Sequence, residues 1–292
     1  MNTLKRCNTS RKSCKSSIPC ISKGMGGHVG AFINLKKGKC IINCGKKYAG
    51  NSVKEAKFYE TLIQLVDKKL LPLKYLKFFP KFYSKYCTIN KDVYFEIENL
   101  KIKAGKNAQI LDFKIGFKTA YMFNSGFFKS KRHEIINQLS TSAKYGFRLE
   151  GSSVPISNAQ NSQTISMKSF SSRSKFRYYS TNPISVFNSF FTTKKSILQA
   201  IKSLDDLITE FIIPNHKNAL KNKLSIGFIG ASVLFVSGEK STFAKLIDFS
   251  HPVFLTPNTP IKLKENYLKV IINMTQGVLN LYDEIIKFSK QT

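Results

Sequence analysis

Two rhythms of apolar and polar positions organise this chain. From residue 24, "GMGGHVGAFINLKKGKCIINC" reads as a glycine loop, a strand, a Lys-Lys-Gly turn and a second strand, which predicts a β-hairpin. The rhythm then lengthens: Ala56, Tyr59, Ile63 and Val66 recur at helical spacing. Ser52 precedes Glu55 by three, the spacing of a capping box, so a helix over "NSVKEAKFYETLIQLV" is expected. "DVYFEIENLKI" and "AQILDFKIG" alternate as strands. A basic helix follows at "KSKRHEIINQL", and an amphipathic one at "KKSILQAIKSLDDLITEFI". "LSIGFIGASVLFVSG" and "FAKLIDFSHP" predict two late strands, and "ENYLKVIINMTQGVLNLYDEIIKF" a closing helix. Residues 1–22 read as a disordered basic tail, and 151–183, rich in Ser, Asn and Gln, as a flexible insertion. The order predicts an α+β fold of two lobes: a small β-rich N-lobe over 23–100 and a larger C-lobe over 101–292.

Composition sharpens this. The 292 residues are 42% hydrophobic, with 12 Tyr and 24 Phe, enough for a real core. The net charge of +30 implies a polyanionic partner: nucleic acid, an anionic membrane surface or a densely phosphorylated small molecule. No acid occurs before Glu55 or between Glu150 and Asp205, so acids concentrate where the pattern looks folded. The six cysteines lack zinc-site spacing, and Cys40 and Cys44 simply bracket an apolar strand. No apolar run reaches the length of a membrane span, and free thiols suit an intracellular protein, cytoplasmic or nuclear. The first residues also have the Arg/Ser-rich, acid-poor look of a transit peptide.

Chemistry gathers at "ILDFKIG". On a strand, Asp112, Lys114 and Gly116 share one face, with Leu111, Phe113 and Ile115 on the other. That arrangement suits an edge ion pair or a site that handles phosphate. "KLIDF" places Asp248 at the end of an apolar strand, a position suited to a hard cation. Together they supply what phosphoryl transfer needs: a carboxylate to orient a hydroxyl, another for metal, and a lysine against developing charge.

The motif order resembles the inositol polyphosphate kinase family, whose P-x-x-x-D-x-K-x-G, Ser-Ser-Leu-Leu and Ile-Asp-Phe segments appear here as "AQILDFKIG", "ASVLF" and "LIDFSH". "GGH" at 26–28, "EAKFYE", "FPKFY", "FEIENL" and "YGFRLEG" fall in matching order. The resemblance implies a kinase-like fold with a nucleotide cleft, ATP and Mg2+ as cofactors, and an inositol polyphosphate as substrate. It implies Asp112 and Lys114 as catalytic, Asp248 as the metal ligand, and Glu98, Asn99, Leu100, Ile41, Asn43, Glu55, Ser232 and Leu234 around the nucleotide. Lys114, Lys118, Lys129, Lys131, Arg132 and His251 would meet the substrate, with His133 beside them. A multikinase-like enzyme acting on tris- and tetrakisphosphates is expected, and a monomer. The alternatives are a hexakisphosphate kinase forming a pyrophosphate, or a weak kinase-fold module that binds polyanions. The basic tail would add contact with anionic lipid or nucleic acid. Four positions depart from the pattern in small ways: Ala108 replaces Pro, Ala231 replaces Ser, Val233 replaces Leu and Asn99 replaces an acid. The serious departure is Asn43, where a lysine that pairs with Glu55 is expected. Lys39, Lys46 and Lys47 are the candidates to replace it.

Overall fold

The computed structural model describes residues 21–22, 32–37, 40–89, 91–154, 156–157, 164–165 and 181–292. The tail over 1–20 with Cys7, Cys14 and Cys20, the "GGH" loop, Lys39 and most of the 151–183 insertion lie outside the described residues. Five antiparallel strands form the first sheet in the order β1-β2-β3-β5-β4: β1 (Ile21–Ser22), β2 (Phe32–Lys37), β3 (Cys40–Lys47), β4 (Phe82–Ile89) and β5 (Asp92–Ile97). The last two residues assigned to the tail are therefore paired, Ile21 with Ile33 and Ser22 with Phe32.

Helix α1 (Asn51–Asp67) crosses between β3 and β4, burying Ala56, Phe58, Tyr59, Leu62 and Val66. The expected capping box does not form. Gly50 occupies the cap with φ 55°, and the Glu55 carboxylate is spent on a lysine instead. A 3-10 turn (Leu73–Phe78) leads into β4. The strand read through "DVYFEIENLKI" ends at Ile97. Asn99 Oδ1 accepts from Lys101 N at 3.2 Å, and that cap starts α2 (Leu100–Ala104).

The second sheet, β12-β11-β6-β7, is also antiparallel. Its strands are β6 (Gln109–Ile115), β7 (Phe147–Ser152), β11 (Ser232–Ser237) and β12 (Thr242–Ile247), with β6 internal. Between β6 and β7 run α3 (Met122–Ser125), α4 (Phe127–Gln138) and α5 (Ser142–Tyr145). Two short strands, β8 (Ile156–Ser157) and β9 (Thr164–Ile165), pair within the segment read as flexible, and Ile156 is fully buried. Helices α6 (Pro183–Phe190) and α7 (Lys194–Leu207) follow, with Thr193 capping α7 through Ser196 N. The amphipathic pattern runs past its expected end. A π-helical turn over Ile208–Ile212 widens the backbone ahead of Pro214, and α8 (Ile213–Leu220) continues.

Both late strands expected from sequence are broken in two. "LSIGFIGASVLFVSG" bends at Gly230, φ 70°, into β10 (Ser225–Phe228) and β11. "FAKLIDFSHP" bends after Ile247 into β12 and β13 (Pro252–Leu255), with Asp248 at the corner at φ 68°. β10 and β13 pair as a separate ladder, and Ile229 N donates to His251 O at 3.1 Å between the two corners. Helix α9 (Ile261–Ser289) closes the molecule, burying Val270, Met274, Val278, Leu281, Ile285 and Phe288 along one face. A continuous aromatic core joins the lobes: Phe58 of α1 lies 4.8 Å from Phe249 and 5.2 Å from Phe228, ring centre to ring centre. The result is a two-lobed α+β architecture.

Candidate functional site

Strand β6 alternates as the sequence implies. Leu111, Phe113 and Ile115 are buried in the core, while Asp112 and Lys114 lie on the other face. Opposite them on β11 stand Leu234 and Ser232, respectively. On β7 the register slips between Asp112 and Phe113: Asp112 faces Gly151, Phe113 faces Leu149, and Glu150 is the extra residue. Such a bulge re-aims a side chain, and Glu150 joins the charges around Asp112 and Lys114. The strand is followed by Gly116 at φ 107°, where a Cβ would run into the Asn273 amide of α9. Asn273 instead clamps the turn, donating to Lys118 O at 2.8 Å and accepting from Lys118 N at 3.1 Å.

The two strand-breaking corners meet at Lys114. Its Nζ donates to Gly230 O at 2.8 Å and stands 3.3 Å from Asp248 Oδ2. Asp248 is held by its neighbour, since Phe249 is fully buried among Phe58, Phe79 and Phe228. Asp112 Oδ1 and Ser232 Oγ are buried and make no hydrogen bond of ordinary geometry. Burial, then the Asp248 charge, pushes the Asp112 carboxyl up to about 7; Lys114 and the adjacent Ser232 hydroxyl pull against this, and Glu150 adds to it. Burial alone would lower Lys114, but Asp248, Glu150 and Asp112 outweigh it and hold the ammonium protonated. The site therefore holds a carboxyl poised near neutrality beside a fixed cation.

The expected lysine is Lys46. Its Nζ reaches Glu55 Oε2 at 2.5 Å, and both side chains are almost fully buried. Glu55 and Asp248 keep Lys46 charged against its burial. Asn43 is the correction: the lysine lies three residues later on β3, while Lys47 turns to Asp92 at 2.7 Å. The side chains of Ile41 and Asn43 lie outside those described.

The sequence pattern of the family described as "Inositol polyphosphate kinase" matches residues 94–278, more than half of the chain. The chain belongs to this family. Two solved structures share the fold of this inositol polyphosphate kinase family member. One, from studies of an inositol phosphate multikinase, aligns with TM-score 0.54 at 17% identity, covering 80% of this chain and 98% of the other. The multikinase Ipk2 from S. cerevisiae, solved with ADP and Mn2+, aligns with TM-score 0.57 at 21% identity, covering 85% and 99%. A search of curated protein sequences returns no match.

Within this kinase-family fold, the remaining expected residues divide. Glu98 N donates to Lys81 O at 2.8 Å and its carboxylate accepts from Lys81 N at 3.1 Å, which ties β5 to β4. Leu100 opens α2, where a helix leaves its first N–H groups without intrahelical acceptors, and packs with Leu234. Asn99 is engaged as the cap through its oxygen. Lys118 Nζ sits over the Tyr121 ring at 5.8 Å, and Lys131 pairs with Glu134 at 3.0 Å. Lys118 and Lys131 both line an open cavity of about 440 Å³ with Tyr121, Phe123, Phe127 and Asn266. Arg132 is exposed, His251 half-buried, and the Lys129 side chain lies outside those described. Sequence reasoning passed over Arg148 and Glu150 in "YGFRLEG". Arg148, buried, donates to Asn137 Oδ1 at 2.8 Å, and its Nε lies 3.4 Å from Glu150. Thr119 also donates to Asn137, at 3.0 Å, and meets His133 Nδ1 at 3.2 Å, so a buried polar chain links β7 to α4. The opposite charges two residues apart in that motif were a signal, but only the bulge points Glu150 at the site.

Proposed function

We propose that the protein is an ATP-dependent kinase that transfers the γ-phosphoryl group to a hydroxyl of an inositol tris- or tetrakisphosphate. The carrying observation is Lys114, held at 2.8 Å by Gly230 O and at 3.3 Å by Asp248, beside the buried Asp112 carboxyl. Asp112 takes the proton of the attacking hydroxyl as its oxygen bonds to phosphorus and the bond to the β-γ bridging oxygen breaks. Lys114 offsets charge on the transferred group, and Lys46, fixed by Glu55, faces the nucleotide phosphates. The Glu98 carbonyl and Leu100 N–H meet adenine, with Asn99, Ile41, Ser232 and Leu234 around the nucleoside. Lys118, Lys129, Lys131, Arg132 and His251 compensate substrate phosphates.

Among the described residues no three His, Cys, Asp or Glu side chains gather as a metal cage. An oxygen-only set built on Asp248, 42% exposed, with the unsatisfied Asp112 oxygen nearby, still fits magnesium, which prefers one or two carboxylates plus phosphate oxygens. Magnesium would supply charge neutralisation at the phosphates. The ADP and Mn2+ bound by the yeast structure support nucleotide and divalent metal as cofactors.

Purified protein with magnesium-ATP is offered inositol tris-, tetrakis- and hexakisphosphate, and products are separated by charge. Transfer to tris- and tetrakisphosphate, lost in Asp248→Ala and Lys114→Ala, is expected. Transfer to hexakisphosphate alone would assign a pyrophosphate-forming enzyme. Binding without transfer would refute the kinase reading.

A further inference from the structure

Helix α4 is built inside out. Its inner face carries His133 and Asn137, which bond to Thr119 and Arg148. Its outer face carries Phe128, 88% exposed, then Ile135 at 52% and Leu139 at 59% just past the end. These residues, at i, i+7 and i+11, lie along one line of the helix. Lys131 falls on one side of that line and Arg132 on the other, both exposed. Met122 and Phe127 extend the apolar surface towards α3 at 65% and 55% exposure. Polar groups facing inward and bulky apolar groups facing water reverse the usual pattern of a surface helix.

Charge decides what covers this stripe. Residues 117–145 hold five lysines and arginines against one acid, Glu134. Every stretch of chain outside the described residues lacks Asp and Glu, so none of them complements the basic flanks. A second copy would set Lys131 and Arg132 against their equivalents. An apolar line bordered on both sides by cations matches a helix lying in the plane of an anionic lipid surface, aromatic groups in the acyl boundary and cations at the headgroups. We propose that α4 docks this protein on anionic membranes through Phe128, Ile135 and Leu139, with Lys131 and Arg132 at the headgroups. Lys131 and Arg132 are the cations assigned above to substrate phosphates, so the proposal gives them a second anionic partner; its test reads vesicle binding and needs no turnover.

The chain contains no tryptophan, so Phe128→Trp supplies a single reporter. Its emission is expected to shift to the blue with vesicles of phosphatidylcholine plus phosphatidylserine, and to stay unchanged with phosphatidylcholine alone. Co-sedimentation of the full chain with the anionic vesicles should fall at least tenfold in Phe128→Ser/Ile135→Ser. Both positions are exposed, and circular dichroism checks that the variant folds. Undiminished sedimentation of that variant would assign binding to the basic tail and overturn the proposal. So would a blue shift on self-association or with a glutamate-rich peptide in place of vesicles.

Discussion

At the scale of single residues, the decisive substitution is one that the fold absorbs. A lysine was expected at position 43, and Lys46 provides the ammonium three positions on, with Glu55 at 2.5 Å. Sequence alone left Lys39, Lys46 and Lys47 open, because the strand's register against α1 is a long-range property. Asn43→Lys is therefore expected to leave turnover within about twofold, whereas Lys46→Met should cost roughly a hundredfold in kcat/KM. Lys46→Met also strands a buried carboxylate, so its unfolding free energy should fall by about 3–5 kcal/mol in denaturant titration. A large gain in Asn43→Lys would mean Lys46 does not serve the nucleotide. Asp112 and Lys114 were legible because short-range alternation and their apolar neighbours fix where they point, and Asp248 because an acid directly follows an apolar strand, although the corner it makes was not. The Asn99 cap is local, reaching only Lys101 N, but reading the segment as one continuous strand hid it. The neutral-range carboxyl of Asp112 was not legible, since it depends on groups far along the chain.

At the scale of elements, the informative features are departures from regularity. Gly230 and Asp248 turn two predicted strands into four, and a residue-by-residue hydrophobic pattern does not register such corners when both sides are apolar. The β7 bulge is a third departure, and it carries a pH consequence. Asp112 is raised to about 7 by burial, then by Asp248, with Glu150 contributing, while Lys114 and Ser232 oppose. Below that pH the carboxyl keeps its proton and cannot accept another, so kcat/KM should fall on the acid side of neutrality. Glu150→Gln removes one of the negative charges that raise it, and the acid limb should move to lower pH. An unmoved limb would show that Glu150 does not act on Asp112. The four helices read from sequence formed with shifted ends: α1 lost its expected cap, and the α7 pattern continued through a π turn into α8, while α2, α3, α5 and α6 were not read at all.

At the scale of the whole molecule, the lobes are fastened as well as juxtaposed. Lys245 of β12, nearly buried, donates to the backbone carbonyls of Lys77 and Phe79 in the turn before β4. Burial, reinforced by Lys103 and Lys77, lowers its pKa from 10.5 to about 8, against a smaller pull from Glu98. A lysine depressed on folding binds fewer protons in the native state between those values, so its cost is fully present below about 8 and relieved as pH rises. Unfolding measurements should show wild type gaining on Lys245→Met between pH 8 and 10, by an amount on the order of 3 kcal/mol at full deprotonation. A flat difference across that window would place the ammonium in a wetter setting. The two-lobed plan was visible in the order of sheet and helix segments, but this tie joins residues 166 and 168 apart in sequence and left no local mark.

The aromatic seam has one more implication. Phe58 and Phe79 come from one side of the chain's midpoint, Phe228 and Phe249 from the other, and their rings interleave without a break. A cut in the loop between α2 and β6 would leave each piece with an open greasy wound, so neither half is an autonomous building block. Produced together, the same pieces carry matching halves of one surface, and that makes the seam a natural joint for reassembly from fragments.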